Sequence, residues 1–559
     1  MKKGCIFLVL LLLLPTYGTS QQPAWSSPQA VARELPTMEN VSGFINAVPS
    51  LLDGFSLATP RNVTMELVVA TGKVDMLYRE DPPWLEEAVL EFYHLHNFTV
   101  SQQDTDLFFS QIAPLPDEFS QSIALLVYAL NDASRSCTFA FRNLTADERQ
   151  FLRQHNQSDT NVTDVLRYAL SERIKIFPNL DLFASNTDKL SLLVQKIDRA
   201  ALVDGGLGLL SAVRVALPVL EKYAARFNQS MVLEDPSGHI RVGGSDNTTH
   251  VGTCSLLIDL GGDDLITVRH PEEAAALVLN VAGNDRYQGQ MAKSFAGISM
   301  LIDVRGNDFY TANNWSQSYA CAGLTALVDM RGDDVYAGGS HVQAAARAGG
   351  LAVLADVRGN DTYHAYSHAQ ACANGNSLAL LVDGTGNDVY TAEGYAQGYG
   401  SSGGLGLLVD VLGNDIYDAR FYAQGAGQGW ANGLKKLGTG VLLDGAGDDT
   451  YTADRFSQGY GKIVGVGVMA DLLGNDRYAA RASSQASSEL FGVACLLDLF
   501  GNNTYQRSLH SGGYEGTWGT ALLVDGMGSA FNQKLWDLLQ SLAEYDVAPF
   551  SLLFGLIGG

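Results

Sequence analysis

The sequence predicts an α+β, multidomain chain: a mostly helical segment over 21–250, then a three-sided parallel β-solenoid (β-helix) over 251–531. Two observations predict it. An eight-residue phrase, D-x-x-G-[N/D]-D-x-Y, recurs mostly every 27 residues, from Asp303–Tyr310 to Asp471–Tyr478. A period of that length marks stacked supersecondary units rather than one globular core. Before the repeats, apolar residues recur at helical spacing, as Leu85, Val89, Leu90 and Tyr93 do.

The chain opens Met1-Lys2-Lys3, runs apolar from Ile6 to Leu14 and then meets Gly18 and Ser20. This is the pattern of a secretory signal peptide over 1–20. The apolar run is about half the ~20 residues of a membrane span, so no transmembrane anchor is expected. Export fits the asparagines: Asn40, Asn62, Asn97, Asn143, Asn156, Asn161, Asn228 and Asn247 each begin an N-x-[S/T] sequon. The expected setting is secreted or at the extracellular surface. The cysteines beyond the signal are few and without paired spacing, which excludes a disulfide framework or a zinc site. A net charge of -24 argues against nucleic acid as a partner.

Within 21–250, helices are expected over Trp84–Phe98, Phe119–Leu130, Thr145–His155, Val165–Ile174, Lys189–Val203 and Leu207–Phe227. Thr145 and Glu148 have the spacing of a capping box. Gly243–Thr249 reads as the junction with the solenoid.

Each coil reads as three strands, in about ten coils. The first strand runs into the motif Asp, with apolar residues one, three and five places before it, such as Val382, Leu380 and Leu378. These are expected to face inward. The leucines two places before the Asp, Leu327, Leu354 and Leu381 among them, then form an outward ridge. The helical segment, or a second copy of the protein, is expected to cover it. The motif Tyr is expected to point inward and stack. Gln533–Glu544 is amphipathic, and 532–559 is expected to cap the open end of the ladder.

Stacking places equivalent residues about 4.8 Å apart, so the motif becomes columns. Asp303, Asp329, Asp356, Asp383, Asp410, Asp444 and Asp471 form one acidic column; Asp308, Asp334, Asp361, Asp388, Asp415, Asp449 and Asp476 form a second. Such a stack of like charges requires an answer. Backbone N–H groups in Asx turns give one, and calcium bridging carboxylates of neighbouring coils gives another. Gly386-Asn-Asp-Val-Tyr390 and Gly413-Asn-Asp-Ile-Tyr417 resemble the G-x-D-x-U core of the RTX, or hemolysin-type, calcium-binding repeat. That resemblance implies a parallel β-roll with calcium between turns. The RTX phrase repeats every nine residues, whereas this chain has one such turn per 27.

A Gln also recurs, at Gln343, Gln370, Gln397 and Gln424 among others, between small neighbours that are expected to face in. The Gln itself is then expected to face out, beside an aromatic stripe of Trp315, His341, His368, Tyr395, Tyr422 and Phe456. Rings beside amides suit an extended polysaccharide. Between Gln424 and Asp444 the period lengthens, and the added loop carries Trp430, Lys435 and Lys436. The function expected from these features is a secreted or cell-surface glycoprotein that binds a polysaccharide or a surface protein. The alternative is a polysaccharide lyase or glycoside hydrolase, with His341, His368, Lys435 and Lys436 as the catalytic candidates.

Overall fold

The 27-residue period is one coil of a parallel β-solenoid in the computed structural model, which describes residues 85–156, 192–224, 232–429, 437–506, 509–516 and 519–526. Sheets of thirteen, eleven and nine strands run the length of the stack, so about nine coils carry all three strands. That is slightly fewer than the repeat suggests. Register is strict: Asp356 pairs with Asp383 and Tyr363 with Tyr390. The longer coil keeps it, since Leu408 pairs with Leu442 across the insertion. Among the described residues, only the first pair, Leu233–Glu234 with Ile240–Val242, is antiparallel.

The interior corrects the expected orientation of the first strand. The motif Asp and the leucine two places before it share a parity, and both point inward. Leu301, Leu327, Leu354, Leu381, Leu408, Leu442 and Met469 are fully buried against the tyrosine column. The leucine ridge is therefore no surface for a second copy. The alternate set faces out, and it is apolar because it too is covered. Ile298, Met300, Leu324, Leu351 and Leu378 share one core with Leu126, Leu130, Leu209 and Val213 of the helices. Farther along, Leu407, Val468, Cys495 and Leu522 belong to another buried cluster. A strand apolar on both faces is buried on both.

The helices are α1 (Leu85–Leu95), α2 (Gln102–Ile112), α3 (Asp117–Ala140), α4 (Ala146–Asn156) and α5 (Arg199–Ala224). The capping box closes as expected: Glu148 N–H donates to Thr145 Oγ1, and Thr145 N–H donates to Glu148 Oε2. Helix α2 is additional. In α5 the sequence suggests a break near Asp204-Gly205-Gly206, yet the helix is continuous. Those glycines lie where it crosses the sheet. A Cβ on Gly205 would stand 2.9 Å from Ile298 Cδ1, and one on Gly206 3.2 Å from Met300 Cε. By length and composition α5 is apolar enough to cross a membrane, and half of its most apolar stretch is buried inside this fold. The expected helix over Val165–Ile174 and the expected cap over 532–559 lie outside the described residues.

Candidate functional site

Each coil turns from its first to its second sheet through the motif, and this corner places two carboxyl groups inside. Both columns are buried: Asp303, Asp329, Asp356, Asp383 and Asp471 have no exposed surface, and Asp308, Asp334, Asp361, Asp388, Asp415, Asp449 and Asp476 have 2 % or less. In the first column, Oδ1 of Asp303 and of Asp329 accepts the N–H two residues on, at 3.0 and 3.1 Å. This is the expected Asx turn. Oδ2 accepts the phenol of the preceding coil: Tyr310 donates to Asp329, Tyr336 to Asp356 and Tyr363 to Asp383, at 2.7 to 2.8 Å. The tyrosines stack as expected, with ring centroids 4.6 to 4.9 Å apart from Tyr287 to Tyr505. A buried phenol needs a hydrogen-bond partner, and the Asp one coil on supplies it.

The second column is stitched to the backbone. Oδ1 of Asp334, Asp361, Asp388 and Asp415 accepts the N–H of the equivalent Asp one coil earlier, at 2.6 to 2.7 Å. The glycine two places before it makes room. A Cβ on Gly359 would overlap the Gly332 carbonyl oxygen and stand 2.5 Å from Asp361 Oδ1. Asx turns and this stitching leave the second oxygens over. Oδ2 of Asp308, Asp334, Asp361, Asp388, Asp415, Asp449 and Asp476 is buried and has no donor. Oδ1 of Asp356, Asp383, Asp410, Asp444 and Asp471 also lacks one.

The carboxylates of the two columns converge. Asp308, Asp329 and Asp334 each offer one oxygen within 4.8 Å of the others, and the same holds for Asp334, Asp356 and Asp361 and for Asp361, Asp383 and Asp388. With Asp285–Asp303–Asp308, Asp388–Asp410–Asp415 and two further groups, the ladder is continuous. A buried acceptor without a donor costs about 1–3 kcal/mol, and more when charged. Something positive belongs between them.

The ends of the ladder show what kind of group is missing. Asn280 stands in the first column, and its Nδ2 donates to Asp285 Oδ2 at 2.6 Å. Its orientation is fixed, because its Oδ1 accepts the Ala282 N–H at 3.2 Å. At the other end Asn503 replaces the second Asp and accepts the Asp476 N–H at 2.8 Å. His250 takes the tyrosine place at the start and lies 2.5 Å from Asp259 Oδ2. At Asn280 the amide supplies a donor to the neighbouring acid, whereas Asn503 Nδ2 donates to Asp525 one coil on and leaves Asp498 Oδ1 without a donor. Between these ends both members are acids.

Burial, reinforced by neighbouring carboxylates, pushes these acids far above the usual carboxylate range. Asp308 is raised to about 9, Asp334 to about 10 and Asp415 to about 11. A cation or a proton must supply the missing charge. The donor set fits a hard divalent cation. Each trio offers one oxygen per carboxylate, three in all, of the hard oxygen type of which calcium takes 6–8. Two carboxylates per coil also balance one divalent charge per coil.

The glutamines correct the second expectation. Gln317, Gln343, Gln370, Gln397, Gln424, Gln458 and Gln485 point inward and are buried. Gln343 Nε2 donates to the Tyr336 carbonyl at 2.8 Å and to the His364 carbonyl of the next coil at 3.0 Å. The aromatic stripe is a ladder at the same corner. The rings run Trp315, His341, His368, Tyr395, Tyr422, Phe456, and from His341 onward their centroids are 4.7 to 5.3 Å apart. Stacked on one another, with His341 and Tyr422 buried, they do not form an open row beside outward amides. Burial holds the His368 imidazole neutral, pushing it down to about 4. His341 is likewise held well below the usual imidazole range by burial, with His368 and Arg347 adding to it. Trp430, Lys435 and Lys436 lie outside the described residues, as do Asn40, Asn62, Asn161 and Asn228. Asn97, Asn143 and Asn247 are exposed, and Asn156 ends α4.

Compared with protein-family models, with curated proteins and with solved structures, the chain matches none.

Proposed function

We propose that this is a secreted or cell-surface glycoprotein that uses a rigid solenoid to bind a polysaccharide or a surface protein, with calcium neutralising its carboxylate ladder. The observation that carries the reading is the unbroken double column of buried carboxylates, whose unpartnered oxygens repeat coil by coil. A divalent ion between coils ties each to the next and stiffens the stack along its axis. The second sheet gives such a rod a working face, because its outward residues include the exposed Phe309, Tyr366 and Ile416. The signal-like N-terminus and the exposed sequons Asn97, Asn143 and Asn247 support export and glycosylation. A glycan array probed with the full chain, in calcium and in chelator, tests this role. Retention of defined glycans that weakens in chelator is expected. A clean negative in both conditions removes the polysaccharide and leaves a protein partner.

A further inference from the structure

One column has no part in the ladder. Two places after the motif Asp, at the outer corner between the first and second sheets, three consecutive coils carry Arg305, Arg331 and Arg358. They are in register, since Gly306 N–H donates to the Arg331 carbonyl and Gly332 N–H to the Arg358 carbonyl. Their backbones are therefore about 4.8 Å apart per coil. All three are exposed. Arg305 lies 3.8 Å from Glu221, whereas Arg331 and Arg358 make no ion pair among the described residues. In a chain with net charge -24, three exposed arginines in register on successive coils stand out as a basic seam. Like charges at this spacing repel, and an anion laid along them removes the repulsion.

The sheet beside the seam carries exposed side chains. On the same coils Phe309 is 42 % exposed and Tyr366 63 % exposed. Tyr366 lies about 13 Å along its strand from Thr362, the first residue after the corner. Its cross-strand neighbour in the preceding coil is Gly339, which puts no side chain beside the ring. An exposed aromatic ring offers an apolar face with a polar tip, which suits a sugar ring. Arg recognises carboxylate and sulfate through paired N–H donors.

We infer that the seam of Arg305, Arg331 and Arg358, with the adjoining face that carries Phe309 and Tyr366, binds an acidic polysaccharide whose rings bear carboxylate or sulfate groups. This rests on the binding role proposed above and gives it a place and a ligand class. The charged groups lie along the arginine column, and the sugar rings cross the second sheet.

The test uses the full chain and four probes: polygalacturonate, dextran sulfate, neutral dextran and single-stranded DNA. Retention on one or both acidic polymers, lost at high salt and absent on dextran, is expected. The two acidic arms separate carboxylate from sulfate recognition. The triple variant R305Q/R331Q/R358Q is expected to bind about tenfold more weakly with an unchanged melting midpoint. The control R420Q/R481Q removes two exposed arginines paired with Glu393 and Asp454 and is expected to bind as the parent does. Equal weakening in both variants, or none in the triple variant, overturns the site, as does binding confined to single-stranded DNA. If dextran is retained as well as the acidic polymers, the polysaccharide role stands and the acidic class falls. If no glycan is retained, both fall.

Discussion

Replacing Asp361 with Asn probes the ladder at one rung. Asp356 and Asp361 place oxygens within 4.8 Å of each other, and Asp361 Oδ2 has no donor. The amide keeps the acceptor that takes the Asp334 N–H, as Asn503 does for Asp476. It also turns the unpartnered oxygen into an N–H donor aimed at the Asp356 carboxylate, the bond that Asn280 makes to Asp285. Two full charges at that separation repel by about 3.5 kcal/mol at an effective dielectric of 20. A hydrogen bond to a charged acceptor contributes about 1.5–3 kcal/mol. Burial raises both Asp361, to about 8, and Asp356, so a proton held between them already offsets part of this repulsion in the parent near pH 8. The net gain in chelator at pH 8 is therefore about 1–2 kcal/mol, with about 2–4 °C in melting midpoint for each kcal/mol. At pH 5 the carboxylic acid O–H supplies the donor itself, and the two proteins converge. In excess calcium the order reverses, because the variant has lost a charged ligand. Thermal unfolding by circular dichroism in chelator and in calcium reads all three conditions. A variant less stable than the parent in chelator at pH 8 would refute the reasoning.

Other perturbations follow from the same geometry. In chelator, the protein is expected to lose stability as pH rises from about 5 to 10. The folded-state values are raised above the ordinary 3.8, for example to about 6 for Asp329 and about 9 for Asp308. Their contribution is complete below about pH 4 and is lost as pH climbs through those values, by ~1.4 kcal/mol per unit for each proton held only by the folded state. A flat midpoint over that range contradicts the buried columns. Tyr363→Phe keeps the ring stack and removes the donor to Asp383 Oδ2, at 2.7 Å. A loss of about 1.5–3 kcal/mol in denaturant unfolding is expected, and a change within about 0.5 kcal/mol places that phenol outside the ladder. Gly359→Ala forces a Cβ onto the Gly332 carbonyl, so a loss of at least about 1–3 kcal/mol is expected. Gly289→Ala is the comparison, with nothing within 4 Å of the added carbon; its cost is that of its positive φ alone.

Much of this was legible in the sequence, and the errors have physical causes. Period, coil plan and tyrosine stack follow from the repeated phrase, and the expected Asx turn forms at Asp303 and Asp329 but not at Asp356, Asp383, Asp410, Asp444 or Asp471. The inside and outside of the first strand do not, because both sets of alternate positions are apolar: the helices cover one set and the tyrosines the other. The deciding clue was polar. Stacked tyrosines need partners for their hydroxyls, and only an inward Asp provides them, which puts Leu381 inside with Asp383. The glutamines were misread for another reason. Alternation assumes extended backbone, but Gln343 and Gln370 sit at φ 54° and 49°, and His341 and His368 at 59° and 51°. These left-handed residues bend the chain at the corner and remove the simple in–out rule. Asn280, His250 and the arginine seam were visible as letters. Their meaning depends on which side of a corner each occupies.

The most direct test of the account is a calorimetric calcium titration of chelator-treated full chain at pH 7.5, with melting followed in parallel. The account predicts binding of several ions per chain, release of protons on binding, and a midpoint that rises with calcium. No heat, no proton release and an unchanged midpoint would contradict a cation-loaded ladder.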